Sequence, residues 1–176
     1  GQVSIALDLG AIDRRFGLTP DPEPREAVVL DLPMPVTGDR AAFSETLIDD
    51  LSQHPFANLP VVMTFSATDA AGQSGTAAPL AVVLPGRRFF DPLAAALIEM
   101  RRDLLWARIN APRAVQVLKA VTHKPEEFIR NERAYLRLRV VMRELETAQA
   151  SLGPEKRDEL AEELWQIALL MEEGDL

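Results

Sequence analysis

Two histidines, His54 and His123, carry the only side chains of this sequence whose charge would ordinarily change near neutral pH. His54 lies in a loop bounded by prolines, and His123 comes just before Pro125. General-base catalysis or zinc binding would require carboxylates or a second histidine beside one of them, and only Asp49 and Asp50 are close in sequence, to His54. We therefore expect two surface or loop-packing histidines, and an enzyme site around His54 is the less favoured alternative.

The remaining reactive residue types match no catalytic or metal-binding motif. Asp49, Asp50 and Asp69 could offer oxygens to calcium, but without a D-x-D-x-D-G loop they are interpreted as solvated turn carboxylates. No serine stands in a G-x-S-x-G context, and the glycine-rich phosphate and dinucleotide loops are missing. Cysteine is absent, which excludes thiolate chemistry and disulfides. The sequence thus predicts no catalytic residue, no metal ligand and no cofactor.

The first half of the chain shows the period-two alternation of apolar and polar residues that is typical of β-strands. Five such runs begin near Val3, Val28, Phe43, Val61 and Leu80. The last two are expected to form a hairpin around DAAGQSG, with Gly72 or Gly75 at positive φ. Pro79 would place the final strand at an edge, and Phe56 and Leu59 would pack from the preceding loop onto the core.

The second half changes to helical periodicity, with helices predicted at about 91–108, 111–121, 125–148 and 154–173. Each begins close to a proline, and proline at a first turn removes no helical hydrogen bond. These are Pro92, Pro112, Pro125 and Pro154. Asp91, directly before Pro92, is a suitable N-cap.

This change of pattern at Pro85 and Gly86 divides the chain into residues 1–86 and 87–176. The predicted fold class is α+β: a small antiparallel β-sandwich, whose completeness stays open, followed by a four-helix module. The stretch TPDPEPRE, at 19–26, is expected to be an extended and solvated connector.

Charge is distributed unevenly over the chain. The net charge of −8 argues against nucleic acid as a general partner, and residues 1–86, 87–143 and 144–176 carry −7, +7 and −8. Antiparallel pairing of the last two helices would place the arginines of one beside the glutamates of the other. Exposed pairs of this kind select register and partner more than they stabilise. Anionic lipid or polyanion binding by the basic block is the alternative.

A protein-binding role is the function that these features favour. We predict a non-enzymatic scaffold or protein-interaction module that binds a protein partner or a second copy of itself through the last two helices. The candidate contact residues are Arg130, Arg133, Arg137 and Trp165. Core packing is the first interpretation of Trp165, and an anchor facing a partner is the second.

Four long stretches resemble one bacterial family of large membrane proteins, domain of unknown function 4175. They are HPFANLPVVMTFSATDAAGQSG, LPGRRFFDPLAAALIEMRRDLLW, THKPEEFIRNERAYLRLRVVMRELETA and ELWQIALLMEEGDL, and they cover most of residues 50–176. The resemblance implies an excerpt of a membrane-anchored protein whose large extracytoplasmic part lies on the inner membrane, with a cytoplasmic location as the alternative. It implies no activity. The T-D-A-A-G-Q turn is similar to a hairpin of bacterial immunoglobulin-like domains, which implies that the β-sandwich is immunoglobulin-like. Five strands fall short of the seven usual for that sandwich.

Overall fold

A computed structural model describes residues 2–12, 21–26, 28–31, 51–68, 72, 74–76, 78–123 and 131–173. The chain divides into two compact units, the first formed by Gly1–Asp13 and Pro24–Arg87 and the second by Arg14–Glu23 and Arg88–Leu176. Among the described residues, the strands belong to the first unit and the four long α-helices to the second, which confirms the α+β class. Part of the predicted connector therefore belongs to the helical unit.

The described strands of the first unit form one antiparallel sheet. Their bounds are β1 Gln2–Leu7, β2 Val28–Asp31, β3 Pro60–Thr68, β4 Ser74–Thr76 and β5 Leu80–Val83. The order is β2-β1-β3-β4, and β5 also pairs with β3. The first part of β3 lies beside β5 and its last part beside β4, so the predicted hairpin is confirmed. The predicted strand at Phe43 lies outside the described residues.

One face of this sheet forms the core of the first unit. Val3 and Ile5 of β1 alternate inward beside Val61 and Met63 of β3, and all four side chains are buried. The segment before β3 covers them with two buried apolar side chains, Leu51 and Phe56. The predicted packing of the loop onto the core is confirmed for Phe56, and Leu59 is buried as well. A second layer completing an immunoglobulin-like sandwich stays a prediction.

The described part of the second unit contains four α-helices. They are α1 Pro92–Trp106, α2 Ala111–Val121, α3 Glu132–Ala148 and α4 Pro154–Glu173. Short 3-10 turns, Arg108–Asn110 and Gln149–Ser151, precede α2 and follow α3. Each helix packs against two others in the cyclic order α1, α2, α3, α4, and their leucine-rich stripes meet in one core.

Side-chain caps determine where two of these helices begin. The Asp91 carboxylate accepts hydrogen bonds from the backbone amides of Leu93 and Ala94, both at 2.9 Å, which confirms the predicted cap. Asn131 has extended backbone and its side chain accepts from the amide of Ala134 at 3.2 Å. The predicted helix from about 125 is therefore wrong at its start, because a residue with extended backbone interrupts it; residues 124–130 lie outside the described part.

The start of α1 is also bonded to the end of α4. The carboxylate of Glu172 accepts hydrogen bonds from the backbone amides of Phe90 and Asp91, each at 2.9 Å. These amides precede the helix and have no intrahelical acceptor, so a carboxylate beside the positive end of α1 satisfies them. The contact joins the first and last helices of the unit.

Candidate functional site

The side of α3 that faces away from the helical core carries exposed apolar residues. Ala134, Leu138 and Leu145 recur at helical spacing and are buried in the core. On the opposite side Leu136 and Val140 are one turn apart, and each is 55% exposed. Apolar side chains at this spacing form a small continuous patch on the helix surface.

Three exposed arginines surround that patch. They are Arg133, Arg139 and Arg143, at positions that helical spacing places on the same side of α3. None of them forms an ion pair with the described residues, and the guanidinium of Arg139 lies 5.9 Å from the ring of Tyr135. We call this surface the α3 outer face; it consists of Arg133, Leu136, Arg139, Val140 and Arg143.

Arg137 differs from these arginines because it points toward α4. Its Nε and Nη2 atoms donate to Glu163 Oε1 and Oε2 at 2.6 and 2.8 Å. The hydrogen bond to Glu163 raises the pKa of Arg137 against the opposing effect of burial. Farther along, Lys156 Nζ lies 3.2 Å from Glu144 Oε1, so positions rise along α3 as they fall along α4, and the two helices are antiparallel.

The predicted pairing of arginines on α3 with glutamates on α4 is therefore only partly right. Within the described residues Arg137 forms such a pair, whereas Arg133 does not. The two arginines differ in their position around the helix axis. Arg133 lies on the solvent side of α3, whereas Arg137 lies on the side that α4 covers. Arg130 lies outside the described residues.

The exposed side of α4 is acidic. Glu155, Glu159 and Glu162 follow one another at spacings of four and three residues, which places them on one exposed stripe. Among the described residues only Glu159 of these three has a cationic partner, Lys156, with Nζ 3.1 Å from Oε1. Glu162 accepts from the side chain of Gln166 at 2.9 Å. We call these residues, with Gln166, the α4 outer face.

Trp165 lies on the inner side of α4 and is only 4% exposed. Its ring meets that of Phe89 edge-on, with centroids 5.4 Å apart, and the guanidinium of Arg101 lies 5.1 Å from the Trp165 ring. This arrangement agrees with the core-packing interpretation of Trp165. The candidate contact surface therefore does not include it.

A partly buried ion cluster links Glu23 to the helices of the second unit. Glu23 Oε1 accepts from Arg108 Nε and Glu23 Oε2 from Arg157 Nη1, both at 2.7 Å. Arg108 also donates from its backbone amide to Glu23, and from Nη1 to the carbonyl of Leu152 at 2.9 Å. The expectation of a fully solvated connector is wrong at this residue, because two cationic side chains bind its carboxylate.

Burial and the two arginines act in opposite directions on Glu23. Burial alone raises the pKa of the carboxyl, but the hydrogen bonds and charges of Arg108 and the charge of Arg157 outweigh it, so the pKa of Glu23 is lowered. Sequence reasoning missed this cluster, although one signal was present. Arg157 stands three residues before Leu160 and seven before Leu164, on the buried stripe of α4.

Asp103 is a second buried charge of the helical unit, and it is only 4% exposed. Its Oδ1 atom lies 3.6 Å from Arg102 Nη2 and accepts no hydrogen bond among the described residues. Burial raises the pKa of Asp103, and the charges of Arg102 and Arg113 offset only part of that shift. Keeping the Asp103 carboxylate ionised in the folded protein therefore reduces the stability of the folded state.

The first unit places His54 in a structural contact. His54 Nδ1 accepts a hydrogen bond from the backbone amide of Phe56 at 3.0 Å, and the two rings meet edge-on with centroids 4.6 Å apart. The predicted turn carboxylates, Asp49, Asp50 and Asp69, lie outside the described residues. Within the described ranges, no three histidine, aspartate or glutamate side chains are grouped so as to hold a metal ion.

A family model described as Domain of unknown function (DUF4175) matches residues 1–176. The chain belongs to the DUF4175 family. The match includes the first 49 residues, beyond the part in which the sequence stretches are similar. A search of curated proteins and a search of solved structures each found no match for this DUF4175 chain. No helix within the described ranges is both long and apolar enough to cross a membrane.

Proposed function

We propose that this chain is a non-enzymatic protein-interaction module and that the α3 outer face is its contact surface. The observation that carries the proposal is the combination on one helix side of two exposed aliphatic residues with three arginines that have no ion-pair partner in the described chain. Such a surface offers both apolar area and charged hydrogen-bond donors to a partner.

The apolar part of the surface gives a partner something to cover. Fully burying a leucine or valine contributes about 1.5–3 kcal/mol, so covering the exposed half of Leu136 and of Val140 contributes roughly 1 kcal/mol each. Two such contacts are too few for tight binding by themselves. The rest of the affinity would come from the arginines.

The arginines set the chemistry of that partner. A guanidinium can donate two parallel hydrogen bonds to a carboxylate, as Arg137 does to Glu163 inside the bundle. Arg133, Arg139 and Arg143 present the same group to solvent, so an acidic protein surface fits them. The non-enzymatic part of the proposal is supported by His54, whose Nδ1 is engaged by the Phe56 amide.

Site-specific photo-crosslinking in cells tests this function. A photoreactive amino acid replacing Leu136 should yield a discrete, protease-sensitive protein adduct. The matched control is Ile109, which is 73% exposed and lies on the 3-10 turn before α2, away from the α3 outer face. Absence of a protein adduct at 136, or equal adducts at both positions, would contradict the proposal.

The anionic-lipid alternative is separated by a second measurement on the same variants. Co-sedimentation with vesicles rich in phosphatidylserine at low salt, lost on Arg139→Glu, would favour lipid as the occupant of this face. We expect no such co-sedimentation, because the neighbouring α4 outer face is acidic and repels an anionic surface.

From the family resemblance we further propose that the module, with an immunoglobulin-like first unit, is part of a larger envelope protein anchored in the inner membrane and lies on its extracytoplasmic side. An alkaline phosphatase fusion to the natural protein after α4 tests the location, since that enzyme becomes active only outside the cytoplasm. High phosphatase activity is expected. Activity confined to a cytoplasmic reporter at the same position would place the module inside the cell.

A further inference from the structure

The two outer faces of the helical unit are complementary to one another in charge. The α3 outer face carries three arginines, and the α4 outer face carries three glutamates, one of which, Glu159, has a cationic partner in the described chain. The two helices are neighbours within one bundle, so each copy of the protein presents both faces. Because the faces point outward, they cannot meet within one copy.

We propose that the partner of the α3 outer face is the α4 outer face of a second copy. The inference rests on the proposed function and names the occupant of its contact surface. In a two-fold symmetric dimer, α3 of one copy contacts α4 of the other, and the reverse contact forms at the same time. Both contacts place arginine against glutamate, so the dimer contains two equivalent sets of ion pairs.

The spacing of the charged residues permits this pairing. Arg139 and Arg143 are one helical turn apart, about 6 Å along the axis, and so are Glu155 and Glu159. Two guanidinium groups can therefore face two carboxylates without distortion of either helix. Leu136 and Val140 would lie between these pairs and lose contact with water.

The expected dimer is weak and sensitive to salt. Exposed ion pairs contribute about 0–1 kcal/mol each, and the apolar patch is small. Each copy also carries a net charge of −8, which opposes association at long range. At physiological salt that repulsion is screened beyond about 8 Å. Ion pairs in direct contact are screened less.

Analytical ultracentrifugation of the 176-residue chain tests the proposal. At moderate salt the weight-average mass should rise with concentration from 19.4 kDa toward twice that value, and at high salt it should return toward 19.4 kDa. A mass that stays at 19.4 kDa at every concentration and salt would overturn the proposal, and this result depends on no variant.

A charge exchange tests the identity of the two faces. Arg139→Glu/Arg143→Glu and Glu155→Lys/Glu162→Lys should each be monomeric, since each variant presents two faces of like charge. Neither change breaks an ion pair with the described residues. An equimolar mixture should recover the dimer, because opposite charges then meet at both contacts. A mixture that stays monomeric while the wild type dimerises would place the dimer contact elsewhere.

Two controls keep the result specific. Glu26→Lys/Asp31→Lys changes the net charge as much as the α4 variant does, at exposed sites of the first unit, and should dimerise at least as well as the wild type. Unchanged melting temperatures establish that the variants fold. If the wild type is monomeric but gives a protein adduct at position 136, only the proposal of a second copy as partner is overturned. If it is monomeric and gives no adduct, the proposed function is overturned as well.

Discussion

Glu23 and Arg157 stand 134 positions apart in the sequence, and their side chains meet at 2.7 Å. The side chain of Arg157 is 8% exposed, so it has lost most of its contact with water. A buried cation without a carboxylate beside it is strongly destabilising, whereas a paired one is tolerated. Arg157 has two such carboxylates, since its Nε also donates to Asp158 Oδ1 at 2.7 Å, and Glu23 is the distant one of the two.

Replacing Glu23 should destabilise the helical unit. Glu23→Gln removes the carboxylate that pairs with Arg108 and one of the two that pair with Arg157, and we expect a loss of about 1–3 kcal/mol in the free energy of unfolding at pH 7. Both tryptophans, Trp106 and Trp165, belong to this unit, so denaturant titration followed by their fluorescence reports on it directly. Glu26→Gln, an exposed neighbour, is the control and should leave the transition in place.

The effect of Glu23→Gln should depend on pH. Since the pKa of Glu23 is lowered on folding, its stabilising contribution is complete above the ordinary glutamate pKa and is lost as the pH falls through the folded value. The difference between wild type and variant should therefore be largest near neutrality and shrink in acid. A difference that grew on acidification would contradict the ionised pairing.

Asp103→Asn should have the opposite sign. Because burial raises the pKa of Asp103, the folded state favours the protonated carboxyl, and stability from this group is lost as the pH rises through the folded pKa. The amide has no such loss, so the variant should melt at or above the wild-type temperature at pH 7. This advantage should disappear toward pH 4, as differential scanning calorimetry at both values would reveal; a clear loss of stability at pH 7 would contradict it.

The ion pair of Arg137 and Glu163 should tolerate an exchange of its two residues, but not the reversal of one charge alone. Arg137→Glu places two carboxylates where a bidentate bond of 2.6 and 2.8 Å exists, so a drop of several degrees in melting temperature is expected. Arg137→Glu/Glu163→Arg should recover most of it. Arg133→Glu, on the exposed side of α3, is the matched control and should melt within one or two degrees of wild type.

Gly86 should resist replacement even by alanine. A Cβ atom at this position would lie 2.7 Å from Asn58 Nδ2 and 2.9 Å from Asn58 Cγ. The Asn58 backbone is held in place, since its φ is 65° and its backbone amide donates to the Leu84 carbonyl at 2.8 Å, so the Asn58 side chain would have to rotate away. We expect Gly86→Ala to cost about 1–3 kcal/mol of the stability of the first unit.

Circular dichroism melting and amide exchange at Leu84 would measure this cost. Gly10→Ala is the control in the same unit, since its Cβ would meet only Asp8 Oδ1, at 3.9 Å. Asn58→Gly removes the obstructing side chain and suits a positive φ, so the double variant should recover stability. No recovery would mean that another contact excludes a side chain at position 86.

The elements that depend on local signals were predictable from the sequence. The stripes of α1 and α4 follow helical spacing, so their buried leucines could be named, and Asp91 before Pro92 predicted the cap of α1. The turn predicted positive φ at Gly72 or Gly75, and Gly72 has a φ of 79°. In each case neighbouring residues alone decide the outcome.

The features that depend on distant residues were not predictable. The sequence predicted the start of α3 near Pro125, and only the backbone of Asn131 shows that the described helix begins after Asn131. The arginines of α3 look alike in the sequence, and the position of α4 decides which one is paired. The role of Glu23 required Arg108 and Arg157 to be placed beside it, which no local pattern encodes.

The bond from Glu172 to the amides of Phe90 and Asp91 has a consequence for synthesis on the ribosome. Those amides emerge 82 and 81 residues before their acceptor exists. Throughout that interval α1 has its Asp91 cap but lacks α4, the helix that covers its leucines. The unit can close only after its final helix leaves the exit tunnel, so a stalled nascent chain presents the uncovered side of α1 to chaperones and proteases.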